Sequence, residues 1–488
     1  MTTSKTVFLT GATGNMGQEG LKQLLDRNDG THVVALVPPT DRDRRIMSAW
    51  KGEPRLTIVW GDLTRYEDVL RCVSGADYVL HVGGMVSPAA DRDPELTARV
   101  NVGSVRNIIR AIKAQPNADR IRLVFIGTVA ETGDRNPPMH WGRAGDPIKI
   151  SVFDHYAISK TIAEREVIES GLNYWVSLRQ TGIVHGNRFN TGALLDPIMF
   201  HVPLNGVFEW VTARDSGRLL ANVCEDGIPD HFWRRIYNIG GGEKCRITNY
   251  ELLVIAFRAF GLGVGHLQAL LDPKWFVLRN FHGHWYEDSD VLESYLHFRG
   301  DTADDFAGCL RTRAVVPPWL AGLTPVFVFR ILRKLVLEPL ADRDPGTQYW
   351  IRHDVEDRIR AFFGSKSRWE RIPGWEGVDT SRPTDRPLRL NHGYDETKPL
   401  AELDVEDMRG AAEFRGGECV SGSMIRGDMR SQLQWRCTFG HEFAASPTLV
   451  LLAGQWCPQC LPPPWNYDAI AARNPFFAQV WPGVTSTE

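Results

Sequence analysis

The sequence predicts an α/β fold: a doubly wound parallel sheet, a smaller second lobe, and a short cysteine-bearing module after them. Three observations carry this. Up to about Gly186, short apolar runs alternate with amphipathic helical stretches, the pattern of parallel strands buried on both faces. The first run, Val7-Phe8-Leu9, leads straight into Thr10-Gly11-Ala12-Thr13-Gly14-Asn15-Met16-Gly17 and a helical stretch through Leu24. Far downstream, Cys437, His441, Cys457 and Cys460 form two short chelating pairs.

The later strand candidates are Val33 to Val37, Leu56 to Trp60, Tyr78 to Val82, Leu123 to Ile126 and Trp175 to Leu178. The strand–glycine loop–helix context makes the first turn a candidate dinucleotide site of the Rossmann type. Gly11 permits the tight turn, Gly14 lets backbone approach a pyrophosphate, and Gly17 permits close helix–strand packing. Amide groups at the helix start, around Thr13, Asn15 and Met16, suit the phosphates.

A chain of 488 residues holds one large domain and at least one smaller module. The expected division is an enzyme-sized unit over 1–345, with its dinucleotide core at 1–186 and parts of 211–240. A substrate lobe is expected mainly at 187–210 and 241–345. An extended connector at 346–400 contains the Pro- and charge-rich stretch Ser365 to Thr397, followed by a module at 401–464 and a tail at 465–488. A net charge of −3 and a pI near 6.5 argue against a nucleic-acid partner. Eight scattered cysteines and the absence of a leader pattern favour a cytoplasmic protein over a disulfide scaffold. Val326-Phe327-Val328-Phe329 is cut by Arg330, Arg333 and Lys334, so no transmembrane span is expected. A solvated face is favoured there over peripheral membrane contact.

Tyr156 and Lys160 stand one helical turn apart on one face. An ammonium beside a phenol lowers the phenol's pKa, and a phenol so tuned can exchange a proton with a carbinol or carbonyl oxygen. Thr128 closes the candidate strand Leu123 to Ile126, at the end where open α/β sheets bind ligands.

Together these motifs resemble the extended short-chain dehydrogenase/reductase family, also called NAD-dependent epimerase/dehydratases. The likeness rests on the TGxxGxxG loop, Gly61-Asp62-Leu63-Thr64, His81-Val82-Gly83-Gly84, Asn101 in Asn-Val-Gly-Ser, Thr128 and the Tyr156/Lys160 pair. It continues through Leu178-Arg179-Gln180-Thr181-Gly182-Ile183 and Tyr237-Asn238-Ile239-Gly240-Gly241. The resemblance implies Thr128, Tyr156 and Lys160 as the catalytic set. It implies a cofactor crevice formed by the glycine loop with Asp62 on the adenine, Leu63, Val82, Gly83, Gly84, Asn101, Gln180 and Ile183. Asn101 would also steady the central helix, and Tyr156 and Lys160 would face the cofactor as well. A homodimer is expected.

Three departures narrow the activity. Val129 and Ala130 stand where the dehydratase branch has Asp-Glu, Gly182 stands where sugar epimerases have Asn, and Gln180 replaces a common proline. What remains looks most like the branch of 3β-hydroxysteroid dehydrogenases and dihydroflavonol reductases. The expected function is therefore an NAD(P)-dependent oxidoreductase on a secondary alcohol or ketone of a hydrophobic substrate. An epimerase with a tightly held cofactor, or a dinucleotide sensor that recruits partners through its module, are the alternatives. The second strand ends Val37-Pro38-Pro39 with no acid for a ribose 2′-OH, and Arg42, Arg44 and Arg45 follow. NADP is expected over NAD on that ground, with Arg42 taking a 2′-phosphate.

The run Trp275 to Tyr286 reads equally as a pocket wall for a flat apolar substrate or as ordinary core. The spacing C-x3-H, fifteen residues, C-x2-C predicts a structural Zn²⁺ held by Cys437, His441, Cys457 and Cys460, inside an apolar shell of Trp435, Phe443 and Trp456. A disulfide or free thiols are the other readings. The segment resembles treble-clef and ribbon-like zinc modules, which implies a docking or dimer-stabilising role.

Overall fold

The computed structural model describes residues 5–27, 29–186, 196–314, 317–460 and 466–481. Seven parallel strands form the central sheet: β1 (Thr6–Thr10), β2 (His32–Val37), β3 (Leu56–Trp60), β4 (Tyr78–His81), β5 (Arg122–Thr128), β6 (Tyr174–Gln180) and β7 (Arg235–Ile239). Their order across the sheet is β7-β6-β5-β4-β1-β2-β3, the doubly wound arrangement expected from the sequence. The order reverses between β1 and β4, so the crevice beyond Thr10 and His81, which lie opposite each other, is the place for a ligand.

Side chains alternate faces along each strand and build two cores. Val7, Leu9, Val124 and Ile126 pack with Leu21, Leu24, Leu219 and Leu220 on one face. Phe8, Leu123 and Phe125 pack with Val105, Ile108, Ile112 and Val167 on the other.

This second core does not stop at its helices. Trp435, Leu449, Leu451, Trp456 and Cys457 belong to the same cluster, so 401–464 is docked on the sheet domain rather than standing apart as a separate module. Its three-stranded antiparallel sheet (Glu418–Cys419, Leu433–Arg436, Glu442–Ala445) adds Trp435 to this core, and the turn Thr448–Leu452 meets β7 and the helix His155–Ile168. The connector also differs from the expected extended chain. Helices Thr347–Arg352, Glu356–Phe363 and Lys366–Glu370 form within it, and Trp350, Ile359 and Phe363 bury a small core of their own. Only the stretch beyond Arg371 is irregular, and it is strapped down where Arg143 donates to Glu396 Oε1 at 2.9 Å and to Leu390 O at 2.7 Å. The expected tail is likewise packed, with the Tyr467 hydroxyl donating to Ile150 O at 2.7 Å. Residues 187–195 of the lobe, 461–464 of the module and 482–488 of the tail lie outside the described residues.

Candidate active site

The glycine loop is shaped by backbone crowding. Gly11 has φ +72°, and a Cβ there would lie 2.7 Å from Gly83 N; one on Gly17 would overlap the Gly11 carbonyl oxygen. The loops after β1 and β4 therefore touch, which only glycine permits. Gly14 N donates to Gly11 O at 2.9 Å, and the helix Asn15–Asp26 begins with no side-chain cap and no acid in its first turn. That leaves a helix N-terminus suited to an anion.

Thr10 ties the two loops together. Its Oγ1 accepts from Val82 N at 3.1 Å and Gly83 N at 2.9 Å, and lies 2.9 Å from His81 Nδ1. With both lone pairs used, the hydroxyl must donate to His81 Nδ1, so the imidazole is neutral and its Nε2–H faces Ser104 Oγ at 3.2 Å. Burial first, and the Lys160 charge second, hold His81 down to about 3.

Around this crevice the expected residues fall as follows. Arg42 reaches Thr13 O at 3.4 Å while paired with Asp43 at 3.1 Å. Arg44 instead lies over the Trp60 ring at 4.6 Å. Asp62 is exposed just past β3, accepting from Thr64 N at 2.8 Å, and Leu63 lies close against Gly83. Gly84 approaches the Asn101 side chain too closely for a Cβ. Asn101 sits in a π-helical turn, Arg99–Gly103; it accepts from Met85 N at 2.7 Å and donates to Met85 O at 3.0 Å and Ser159 Oγ at 2.9 Å. It thereby links the Gly83-Gly84 loop to the helix that carries Tyr156.

That helix, His155–Ile168, starts at two carboxylates. Asp154 caps it by accepting from Ala157 N at 2.8 Å, and Asp91 accepts from His155 N at 2.9 Å. Burial and the neighbouring Asp154 push the Asp91 carboxyl above its ordinary range. Thr128, paired opposite Gln180 at the sheet's C-terminal edge, lies near Tyr156, and its hydroxyl acts to lower the phenol's pKa against the effect of burial. Both line a cavity of about 730 Å³ together with Val86, Val129, Phe153, Gln180, Ile183, Phe281, His282 and Arg358. The expected aromatic wall is thus divided: Phe281 and His282 reach the cavity, whereas Trp275, Phe276 and Trp285 are core.

Lys160 departs from its expected role. Its ammonium turns inward, donating to Ile126 O at 2.5 Å and lying 4.2 Å over the Phe125 ring. Burial lowers it to about 8, opposed by the charges of Glu131 and Glu164. The Tyr156 phenol, expected to be lowered, is instead raised by burial, and Lys160 is not among the groups acting on it. The i,i+4 spacing fixed the shared face but not where the long side chain points.

Behind the tyrosine helix lies a buried charge network that the sequence reading passed over. Arg179 holds Glu164 through contacts of 3.0 and 2.7 Å and donates to Ala453 O at 2.8 Å; Gln455 Nε2 donates to Glu164 Oε2 at 3.0 Å. Burial and the Glu164 charge keep the Glu131 carboxyl well above its ordinary range, and its Oε1 accepts from Thr128 N at 3.0 Å. Asp154 carried a legible signal as a helix-capping residue; Arg358, two hundred residues from Tyr156, carried none.

The four C-terminal ligand candidates converge. Cys437 Sγ lies 3.5 Å from His441 Nδ1 and 3.7 Å from Cys460 Sγ, and His441 Nδ1 lies 3.3 Å from Cys460 Sγ and 3.6 Å from Cys457 Sγ. All four ligand atoms fall within 4.8 Å of one another. The turn between the first two is tight, with Gly440 at φ +81° donating to Cys437 O at 2.9 Å. Trp456 packs edge-on against Trp435 and Phe443, with ring centroids 5.6 and 5.0 Å away.

Comparison with known proteins agrees with the crevice. Residues 11–195 match a family model described as NAD(P)H-binding. The chain is 26% identical over 174 residues to mouse 3 beta-hydroxysteroid dehydrogenase type 7, covering 33% of this chain and 44% of that protein. The human protein of the same name is 28% identical over 174 residues, covering 34% and 45%. The chain thus spans less than half the length of these relatives. Among solved structures, dTDP-glucose 4,6-dehydratase from Bacillus anthracis, in complex with NAD, superposes with a TM-score of 0.50 at 14% identity, over 66% of this chain and 97% of that one. The family model supports an NAD(P)-binding domain, and the solved structure supports the doubly wound parallel sheet that carries it.

Proposed function

We propose that the chain is an NAD(P)-dependent oxidoreductase of the extended short-chain dehydrogenase/reductase kind, interconverting a secondary alcohol and a ketone on a hydrophobic substrate. The observation that carries the reading is Thr128 beside Tyr156 in one cavity, which the chain joins to the Gly83-Gly84 loop through Val86. The glycine cradle and the uncapped helix start at Asn15 fit a pyrophosphate, and Arg42 beside Thr13 favours NADP. When bound, the dinucleotide supplies or accepts the hydride. Thr128 orients the substrate oxygen, and Tyr156 gives that oxygen a proton as the ketone becomes an alcohol, recovering it in reverse. Burial keeps the phenol protonated, ready for the donor role.

The cavity's Val129, Phe153, Ile183 and Phe281 suit an apolar substrate body, and Arg358 offers a polar end. A sugar nucleotide is disfavoured at Gly182, where any side chain would overlap the Trp210 ring. A screen of sterols, terpenoids, phenolic ketones and nucleotide sugars, read by nicotinamide absorbance, tests the reading. Turnover confined to nucleotide sugars, or turnover that survives Tyr156→Phe, would overturn it.

The Cys/His cluster is proposed to hold a structural Zn²⁺. Tetrahedral Zn–S and Zn–N bonds of about 2.3 and 2.0–2.1 Å set sulfur–sulfur and sulfur–nitrogen separations of about 3.8 and 3.6 Å, close to those found. Such an ion would cross-link the two turns and take no part in the redox step.

A further inference from the structure

From Pro317 to Leu337 the chain runs as short helices across the surface of the second lobe, and its outer face is apolar. Trp319 is 72% exposed, Leu323 71%, Phe327 61%, Ile331 50% and Leu335 70%. Together with the exposed Leu320, Val326, Leu332 and Val336, they make an apolar crest along two short helices, Pro318–Ala321 and Val326–Leu332, and the turns beside them. Phe329 and Leu337 point the other way and are buried. The stretch contains no Asp, Glu, Asn, Gln, Ser, His or Tyr. Its exposed charges are Arg330 and Lys334, which lie on the flank between the crest and the buried side; Arg333 is tied to Asp272 and Glu338.

We infer that this crest lies in the headgroup layer of an anionic lipid bilayer. A protein partner needs a well-furnished polar rim, and here it is sparse: Thr324 within the stretch, and Gln268 and Glu338 beside Arg330 and Lys334. An aromatic and leucine-rich crest whose own exposed charges, Arg330 and Lys334, are both cations has the chemistry of a helix lying in the plane of the interface. Arg330 and Lys334, one turn apart, reach sideways to lipid phosphates while the crest enters the acyl boundary. Among the described residues no single helix is long and apolar enough to cross a membrane, and the apolar pair Asn249–Ala259 and Val264–Leu270 is bent by 110°, so the contact inferred is a peripheral one.

The test is co-sedimentation of the full chain with vesicles of phosphatidylcholine alone or mixed with phosphatidylserine, at low and high salt. Wild type is expected to pellet with the mixed vesicles, about tenfold more weakly without phosphatidylserine, and more weakly in high salt. Two variants separate the contributions: Leu323→Gln with Phe327→Gln and Leu335→Gln, and Arg330→Gln with Lys334→Gln. Each should lose vesicle binding by about tenfold or more while keeping wild-type dinucleotide affinity and elution volume. Wild type that stays in the supernatant, or variants that bind as wild type does, would overturn the inference. So would a wild-type dimer that the crest substitutions convert to monomer with no vesicle binding, since the crest would then be a self-association face.

Discussion

Gln455 Nε2 donates to Glu164 Oε2 at 3.0 Å and to Thr161 O at 3.3 Å, so a loop two residues before Cys457 is bonded to the inner side of the helix bearing Tyr156 and Lys160. Arg165 of the same helix donates to Trp456 O at 3.0 Å. The cysteine cluster and the candidate catalytic helix are thus neighbours along a short hydrogen-bonded path, and disturbing one should be felt at the other.

Gln455→Ala should destabilise the chain by about 1–3 kcal/mol, because a buried carboxylate oxygen loses one of its two donors and keeps only Arg179. Thermal melts would show this. On the zinc reading, chelation, or Cys457→Ser with Cys460→Ser, should release one zinc per chain and lower the melting temperature of the whole chain. A zinc-free wild type with unchanged stability would exclude the metal. A chain truncated after Thr347 should aggregate, since it uncovers the face under Trp435 and Leu451.

Tyr156→Phe should lower turnover by about 10²–10⁴-fold while dinucleotide affinity stays within a few-fold, because the ring still packs and only the proton is lost. Single-turnover kinetics and fluorescence titration separate the two. Thr128→Val should cost rate less severely, since it removes orientation and leaves the proton donor in place.

His81 supplies a pH dependence with a definite sign. Its folded pKa of about 3 lies below the ordinary 6.5, so between those values the unfolded chain binds the extra proton. Stability is therefore full above pH 6.5 and falls as the pH drops towards 3, by about 1.4 kcal/mol per unit at the steepest. Denaturant melts of wild type and His81→Asn across that window should show a shallower acid limb in the variant.

Arg42→Ala alone should weaken NADP more than NAD, by about 1.5–3 kcal/mol for a charged hydrogen bond. Arg44→Ala should affect both equally, because its guanidinium is occupied by Trp60. Calorimetric titration with each dinucleotide decides between them.

The sheet was legible because β1 to β6 are short apolar runs between breakers, and the crevice because Gly11, Gly14 and Gly17 mark backbone that admits no Cβ. Thr128 was flagged by its place at the end of a strand, and Tyr156 by a lysine one helical turn on. The inward turn of Lys160 was not legible, since helical spacing gives a face and not a rotamer. Nor was the docking of the C-terminal residues, in which Trp435 and Leu451 join one core with Val167 although nothing in their spacing links them. The helix Glu356–Phe363 was hidden by its charged outer face, where Glu356, Asp357 and Arg360 mask the buried Ile359 and Phe363.

The bond between Gln455 and Glu164 closes a separation of 291 residues, and that has a kinetic consequence. During synthesis, the dinucleotide crevice leaves the ribosome long before the residues that cover the outside of its tyrosine helix. Until they arrive, Arg179 lacks the Ala453 carbonyl and an apolar face stands open to water. Contacts of such long range form late, so the nascent chain passes through a stage with its glycine cradle made and its tyrosine helix unbraced. Chaperone demand and the onset of activity should both track completion of the C-terminal segment rather than of the sheet.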